Sequence, residues 1–279
     1  MSVTGVLARI IESKRKRLAQ ERARVPPEQL LEQLREQSLN VRRGGNTVVA
    51  HAFRAALTRD ASCHIIAEFK RSSPSKGDLR TDALPAEVAR AYEAGGAAAI
   101  SVLTEEDHFR GSLADLQAIR ATVALPVLRK DFIIDEYQVY ETALAGADAL
   151  LLIVAALDDE TLRRLRQLAE EVLEIDALVE VHTADEMRRA VACGAKVIGV
   201  NNRDLHTFDV SLSVSIELSS HAPVGTLLIS ESGLRSGADL KLLRLHGYKG
   251  FLIGETLMRA DKPEEALRVL IREVESGGT

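Results

Sequence analysis

The sequence predicts a (β/α)8 barrel carrying an N-terminal helical extension, and three observations lead there. From residue 61 onward, eight short aliphatic or β-branched runs alternate with longer helical stretches. Consecutive runs begin 20 to 34 positions apart, close to what a strand, a helix and two loops require. Gly96, Gly146, Gly194 and Gly247 precede alternate runs, where a helix ends and the chain turns into a strand. Eight such units joined by right-handed crossovers close into a barrel. The competing open sheet wants a glycine-rich turn after its first strand, and Arg71-Ser-Ser-Pro-Ser-Lys-Gly77 is not that fingerprint.

Taken in order, residues 1–60 form the extension within a single domain of residues 1–279. Val3, Leu7, Ile10 and Ile11 recur at helical spacing, with Lys14 to Arg17, Arg22 and Arg24 as a solvated basic face. Pro26-Pro27 stops this helix and a second runs from Glu28 to Ser38, with Leu30, Leu31 and Leu34 on one side. Arg42 to Asn46 reads as a loop, and a third helix at about 47–58 leads to the first strand. The strand runs are His64–Lys70, Ala98–Thr104, Pro126–Phe132, Ala149–Ala155, Ala177–His182, Val197–Asn201, Thr226–Glu231 and Gly250–Gly254.

Composition narrows the function classes. The 279 residues are 46% apolar and 28% charged, with 36 Lys+Arg against 41 Asp+Glu for a net charge of −5. The extension holds 12 basic against 6 acidic residues and the remainder 24 against 35, so the asymmetry is mild. A longest apolar stretch broken by Gly146 and Asp148 excludes a membrane span, and Met1 to Ile11 lacks a signal-peptide core, which makes cytoplasm the expected compartment. Cys63 and Cys193, 130 positions apart, are expected to be buried reduced thiols.

In a barrel the C-terminal strand ends carry the active site, and the period of two decides which side chains enter the lumen. Here those ends bring Glu68 and Lys70, Arg129-Lys130-Asp131, Glu180 and His182, Asn201-Asn202-Arg203, and Glu231-Ser232-Gly233. Desolvating unpaired charge costs several kcal/mol or more, roughly, so a purely structural barrel would place Val, Ile or Leu there. Ser230-Glu-Ser-Gly233 and Ile253-Gly254-Glu-Thr256 let backbone N–H groups approach an anion, the device by which barrels hold phosphate, and Arg203 and Lys70 can supply formal charge. Glu180 and His182 could both face inward as metal ligands, but no third ligand stands near, so no metal is expected. Without dinucleotide, kinase or flavin signatures no cofactor is expected either.

Five segments at five strand ends, in order, then carry a resemblance: Ile66-Ala-Glu-Phe-Lys-Arg-Ser-Ser-Pro-Ser-Lys-Gly77, Leu128-Arg-Lys-Asp-Phe-Ile133, Leu178-Val-Glu-Val-His182, Ile198-Gly-Val-Asn-Asn-Arg-Asp-Leu205 and Ser230-Glu-Ser-Gly233. Together with Thr104-Glu105, Phe109-Arg-Gly-Ser112 and the helical extension, the chain closely resembles the indole-3-glycerol phosphate synthases. The resemblance implies a carboxy-lyase of tryptophan biosynthesis that converts 1-(2-carboxyphenylamino)-1-deoxy-D-ribulose 5-phosphate to indole-3-glycerol phosphate, CO2 and water. It implies Lys130 as the first candidate acid at the ribulose carbonyl, Glu180 as proton acceptor or relay, and Glu68 with Asn201 for the dehydration. Lys70 would bridge the substrate carboxylate. Which lysine is the acid in each step stays open, as does the working pKa of Lys130, flanked by cations Arg129 and Lys70 and by Glu68 and Glu180.

Glu231 and Ser232 would shape the far wall. Ser73, Arg203, Gly233, Gly254 and Glu255 would lie at or near the phosphate, with the Glu255 carboxylate turned away from it. Phe109, Phe132 and Pro74 are candidate walls for the aromatic ring. The implied partner is the small phosphosugar-anthranilate substrate, with no nucleic acid and no membrane, and the chain a monomer or weak homo-oligomer. Three other readings compete: a class I aldolase-like barrel with Lys130 or Lys70 as Schiff base, a catalytically dead phosphate-ligand sensor, and a basic nucleic-acid-binding arm at residues 1–24. The extension is expected instead to cap the barrel or cover the loop at 71–78, whose Gly77 suggests mobility.

Overall fold

Alternation of apolar runs with amphipathic stretches produces eight parallel strands, here numbered β1 (His64–Phe69), β2 (Ala99–Leu103), β3 (Val127–Lys130), β4 (Ala149–Ile153), β5 (Asp176–Val181), β6 (Val197–Asn201), β7 (Leu227–Glu231) and β8 (Gly250–Ile253). Each pairs with the next and β8 closes on β1, so the barrel has no free edge. The computed structural model describes residues 5–43, 49–59, 63–74, 77–205 and 207–276. Three helices precede the barrel, α1 (Val6–Arg24), α2 (Pro27–Arg43) and α3 (Ala52–Ala56). Around it run α4 (Pro85–Gly95), α5 (Leu113–Arg120), α6 (Glu136–Leu144), α7 (Asp159–Gln167), α8 (Ala184–Ala192), α9 (Ser213–Ser219), α10 (Gly237–Leu245), α11 (Glu255–Met258) and α12 (Pro263–Glu275). Among the described residues no helix is long and apolar enough to cross a membrane.

Local chemistry marks the joints. Ser112, Asp135, Asp158, Thr183 and Ser236 cap α5, α6, α7, α8 and α10 by accepting a backbone N–H from the first turn. The four glycines expected to end helices have φ of 92°, 81°, 85° and 86°, the left-handed region an L side chain avoids. All eight strand runs form strands; Val197–Asn201 is matched end to end, β5 begins and ends one residue earlier than expected, and the others are shorter. Pro126, Asp131 and Phe132 fall outside β3, and the run from Ala149 leaves the sheet at Ile153 into a single 3-10 turn, Val154–Ala156. The second helix continues to Arg43, so Arg42 and Arg43 are helical rather than loop, because no breaker intervenes before Gly44. The third helix is shorter than expected; Val3, residues 44–48, Ser75, Lys76 and His206 lie outside the described residues. Cys193 is buried, whereas Cys63 is only half-buried, and both are free thiols.

Inside the barrel the period of two separates stability from chemistry. Ile66, Leu128, Leu178 and Ile229 form an apolar layer with Phe53 and Leu57, while Glu68, Lys130, Glu180 and Glu231, two residues further along the same strands, form a charged one. Phe53 and Leu57 come from the α3 region, which thereby closes the N-terminal end of the barrel. The α3 start is held there by Asp176, whose carboxylate accepts the Arg54 backbone N–H at 2.7 Å and lies 3.1 Å from His51 Nδ1.

At the opposite end α1 is clamped by charge. Of the expected solvated basic face, Arg15, Lys16, Arg22 and Arg24 are exposed, but Lys14 is buried and pairs with Asp131 at 2.8 Å and Glu106 at 3.4 Å. Arg17 reaches Asp107 at 2.6 Å, and Arg22 bonds to Asp135. These three cations are spent on the barrel's own loops, which leaves Arg15, Lys16 and Arg24 as the exposed remainder of the basic run. Asp131 also accepts from Thr104 Oγ1 at 2.7 Å and from Arg129 Nη2 at 3.0 Å, and burial, which would raise its pKa, is outweighed by Lys14 and Arg129. Removing one member of a buried pair strands the other, at about 3 kcal/mol or more, whereas an exposed pair contributes under about 1 kcal/mol. Urea denaturation should therefore find Lys14→Met less stable by about 3 kcal/mol and Arg22→Gln within about 1 kcal/mol of the parent; equal effects would refute the buried clamp.

Candidate active site

Each charged lumen residue is delivered by a strand end. Glu68 is next to last in β1, Lys130 last in β3, Glu180 next to last in β5 and Glu231 last in β7. Lys130 Nζ bonds directly to the Glu231 carboxylate and lies 3.7 Å from Glu180 Oε2 and 3.8 Å from Glu68 Oε2. Lys70 Nζ lies 2.5 Å from Glu68 Oε1. Arg129, the cation adjacent to Lys130 in sequence, points to the other face of β3 and is consumed by Asp131, Glu141 and the Gln138 carbonyl. Burial pushes the Lys130 pKa down, but Glu231, Glu68 and Glu180 together raise it above the ordinary lysine value, so the side chain is held as a cation. Glu68 is buried too, and Lys70 and Lys130 nonetheless hold its pKa below the usual carboxylate range. Glu231 goes the other way: burial, with Glu180 and Glu68 nearby, pushes it up to about 7 against the pull of Lys130.

Two glycines make this packing possible. A Cβ on Gly199 would sit 2.2 Å from Glu231 Oε1, and one on Gly254 would sit 2.2 Å from Glu68 Oε1. Gly254, expected to matter for the phosphate, is thus first a cradle for a carboxylate. Asn202 braces the end of β7: its side-chain amide donates to Ser230 Oγ at 2.9 Å and to the carbonyls of Glu231 and Ser232 at 3.0 and 3.1 Å. Ser232 and Gly233 follow with φ of 66° and 79°.

Above the charged layer opens a cavity of about 740 Å3, within the usual range for small-ligand sites. Its lining includes Glu68, Lys70, Ser73, Pro74, Phe109, Lys130, Phe132, Glu180, Asn201, Arg203, Ser232, Gly233, Gly254 and Glu255, all expected there from the sequence. Glu231 alone of that set is absent from the lining; it is fully buried behind its bond to Lys130. Phe109 and Phe132 stand with ring centroids 6.2 Å apart at 39°. Phe109 is fixed by Glu105, whose buried carboxylate accepts the backbone N–H groups of His108 and Phe109 at 2.7 and 3.1 Å. Asn201 Oδ1 accepts the Arg203 N–H at 3.0 Å, and Arg203 Nη1 donates to the Phe208 carbonyl at 3.1 Å. Glu255 turns to Arg259 at 3.3 Å.

The extension caps the cavity as expected, but sequence reasoning identified as cavity lining none of the residues of this roof nor those of two far walls. Val6, Leu7 and Ile10 of α1, Leu205 and Phe208 after β6, and Arg235 and Arg259 also line the cavity. The helical spacing of Leu7 and Ile10 is visible in the sequence, but not the surface they face. Glu231 is expected on the far wall, whereas the fold puts it against Lys130. Because the Gly254 cradle is tight, Gly254→Ala should displace Glu68 and lower kcat by about 100-fold with an unchanged far-UV circular dichroism spectrum; retention of full kcat would disprove the contact.

The chain is similar to known proteins over nearly its whole length. A family profile described as indole-3-glycerol phosphate synthase matches residues 7–270. A relative from Carboxydothermus hydrogenoformans, named indole-3-glycerol phosphate synthase, is 44% identical over 276 residues, covering 95% of this chain and 99% of its own. Among solved structures, a mandelate oxidase variant superimposes with a TM-score of 0.60 at 20% identity, covering 81% of this chain and 84% of that one. A thiamine phosphate pyrophosphorylase from Pyrococcus furiosus gives 0.57 at 16% identity, with 77% and 96% covered; these two likenesses concern the barrel alone. The profile runs from α1 into α12 and the relative is matched almost end to end, so the chain belongs to the indole-3-glycerol phosphate synthase family.

Proposed function

We propose that this cavity closes the indole ring of 1-(2-carboxyphenylamino)-1-deoxy-D-ribulose 5-phosphate, with loss of CO2 and water, by acid and base groups of the chain itself. The observation that carries the reading is the Lys130 ammonium, 15% exposed toward the cavity and backed by Glu68, Glu180 and Glu231. Ring closure needs a cationic acid at the ribulose carbonyl oxygen as the carboxylate-bearing ring carbon attacks it. Lys130, held protonated, fits that role, and Glu180 beside it acts as relay.

Loss of CO2 leaves its bonding pair to restore the aromatic ring, the new carbon–carbon bond standing where the carboxylate was. The former carbonyl oxygen takes up two protons to leave as water and the neighbouring CH2 gives one up, so each turnover consumes one proton overall. Glu231 is suited to return it to Lys130, since its pKa of about 7 keeps a proton available near neutrality. Before decarboxylation Lys70 holds the substrate carboxylate; in the dehydration Glu68, kept as a carboxylate, serves as base, with Asn201 positioning the departing hydroxyl. Arg203, Ser73 and the backbone at Gly233, Gly254 and Glu255 bind the phosphate, Phe109, Phe132 and Pro74 flank the aromatic ring, and Ser232 completes the wall. A monomer or weak homo-oligomer in the cytoplasm suits this reading.

For Lys130 the aldolase-like alternative loses ground on one observation. A Schiff-base lysine must be neutral to attack, and the usual device is a lowered pKa; three carboxylates around Lys130 do the opposite.

Indole fluorescence appearing from the anilino-deoxyribulose phosphate tests the function directly, because the chain has no Trp. Wild type should turn over and Lys130→Met should lose at least about 100-fold in kcat; a folded wild type without turnover would overturn the reading. The pH profile tests Glu231. As pH rises through about 7 its stored proton is lost, so kcat should fall on the alkaline side with that apparent pKa. In Glu231→Gln the limb should vanish and kcat stay low throughout; a limb that survives the substitution assigns the titration elsewhere.

A further inference from the structure

His182 follows the last residue of β5 and shares the face of Glu180, two positions before it. Its surroundings are one-sided. The His182 backbone N–H donates to Glu186 Oε2 at 2.7 Å, and its ring Nδ1 lies 3.2 Å from the same oxygen, so the first turn of α8 fixes the ring. The opposite edge, Nε2, is buried without a hydrogen-bond partner and stands 3.4 Å from Glu180 Oε1. Glu180 has one other ion-pair contact among the described residues, Lys130 at 3.7 Å, and Lys130 bonds directly to Glu231 instead. The carboxylate assigned to relay protons therefore shares its ammonium with two competitors, and the group that faces it from behind is an imidazole held by a second carboxylate.

We propose that His182 is a positioning residue for Glu180: anchored by Glu186, it presents Nε2–H and a positive charge to the Glu180 carboxylate, keeping it aimed at Lys130 and offsetting the surplus of lumen carboxylates. The inference rests on the lyase reading above for its catalytic consequence, but not for the interaction itself. The charged groups acting on the ring are Glu186 from α8, Glu180 from its own strand and Glu231 from β7; burial favours the neutral ring, and the three carboxylates outweigh it and raise its pKa. The arrangement is reciprocal. A cation at His182 stabilises the charged form of Glu231, so removing it should let Glu231 hold its proton to higher pH.

The test combines a spectroscopic titration with a pH profile on the full chain. Imidazole resonances of labelled histidine, with His182 assigned by its absence in His182→Asn, should give a pKa above the ordinary histidine value in wild type and a pKa about one unit lower in Glu180→Gln. Asn retains a donor near the Nδ1 position for Glu186 but nothing at Nε2, whereas Gln can place an uncharged donor near Nε2. In both variants the alkaline limb of kcat should move up by about one unit, and Gln should recover part of the kcat that Asn loses.

An unchanged His182 titration in Glu180→Gln would overturn the proposal. So would a His182→Asn profile that superimposes on wild type after scaling by a constant, the signature of a purely structural role. Should the Asn variant fail to fold, the Gln profile and the wild-type and Glu180→Gln titrations decide the matter. Absence of turnover in wild type would overturn the lyase reading, while the titration would still test the His182–Glu180 pair independently.

Discussion

The bond between Lys130 and Glu231, made where both are withdrawn from water, governs the rest of the site. An ammonium and a carboxylate lose hydration that their attraction repays only if geometry is good and the other lone pairs are served. Here the ammonium also faces Glu68 and Glu180 within 4 Å, and one oxygen of Glu231 has no hydrogen-bond partner. A carboxyl raised to about 7 is the physical response to that burden: the group lessens its own desolvation cost by keeping a proton. In the proposed reaction, which consumes protons, a group in that condition is the donor, so the burial that costs stability is also what supports the assignment of Glu231.

Such a cluster holds its form only because the backbone around it is shaped to receive it. Gly199 and Gly254 leave room for two carboxylates where any Cβ would collide, and Asn202 ties the β7 end through three hydrogen bonds. Below, the apolar layer built on Ile66, Leu128, Leu178 and Ile229 supplies burial that the charged layer cannot. Outside, the second buried charge cluster at Asp131 joins β3 to α1 through Arg129 and Lys14. The Phe132 N–H also donates to Asp131 Oδ1 at 2.8 Å, so one carboxylate links the helical roof to the aromatic wall.

How much of this is legible in the chain alone follows from the range of each interaction. Strand identity and the lumen-facing choice of Glu68, Lys130, Glu180 and Glu231 depend on a period of two and on local turns, so they can be read from sequence. The glycines at helix ends are legible for the same reason, since a positive φ is a local demand. What stays hidden depends on closure. Glu231 meets Lys130 across 101 positions of sequence, and Lys14 meets Asp131 from a helix whose basic run looks, by local pattern, like an ordinary solvated face. Gly199 and Gly254 stand within recognisable motifs, but their purpose is set by side chains on neighbouring strands, which no spacing within one strand reveals.

The layered lumen also explains why the sign of the Lys130 pKa shift discriminates between chemistries on one scaffold. Barrels of this kind present the same eight strand ends to any substrate, so the reaction is decided by the state in which those ends hold their charges. Near other cations, or in an apolar pocket, a lysine there would be driven neutral and become a nucleophile. Surrounded by Glu68, Glu180 and Glu231, with Arg129 turned to the opposite face, it is instead a fixed cation that can hydrogen-bond an oxygen as negative charge develops on it. The carboxylates that disfavour Lys130 as a nucleophile therefore support its proposed role at the carbonyl oxygen, and the outward turn of Arg129 is as much a part of that arrangement as the inward turn of Lys130.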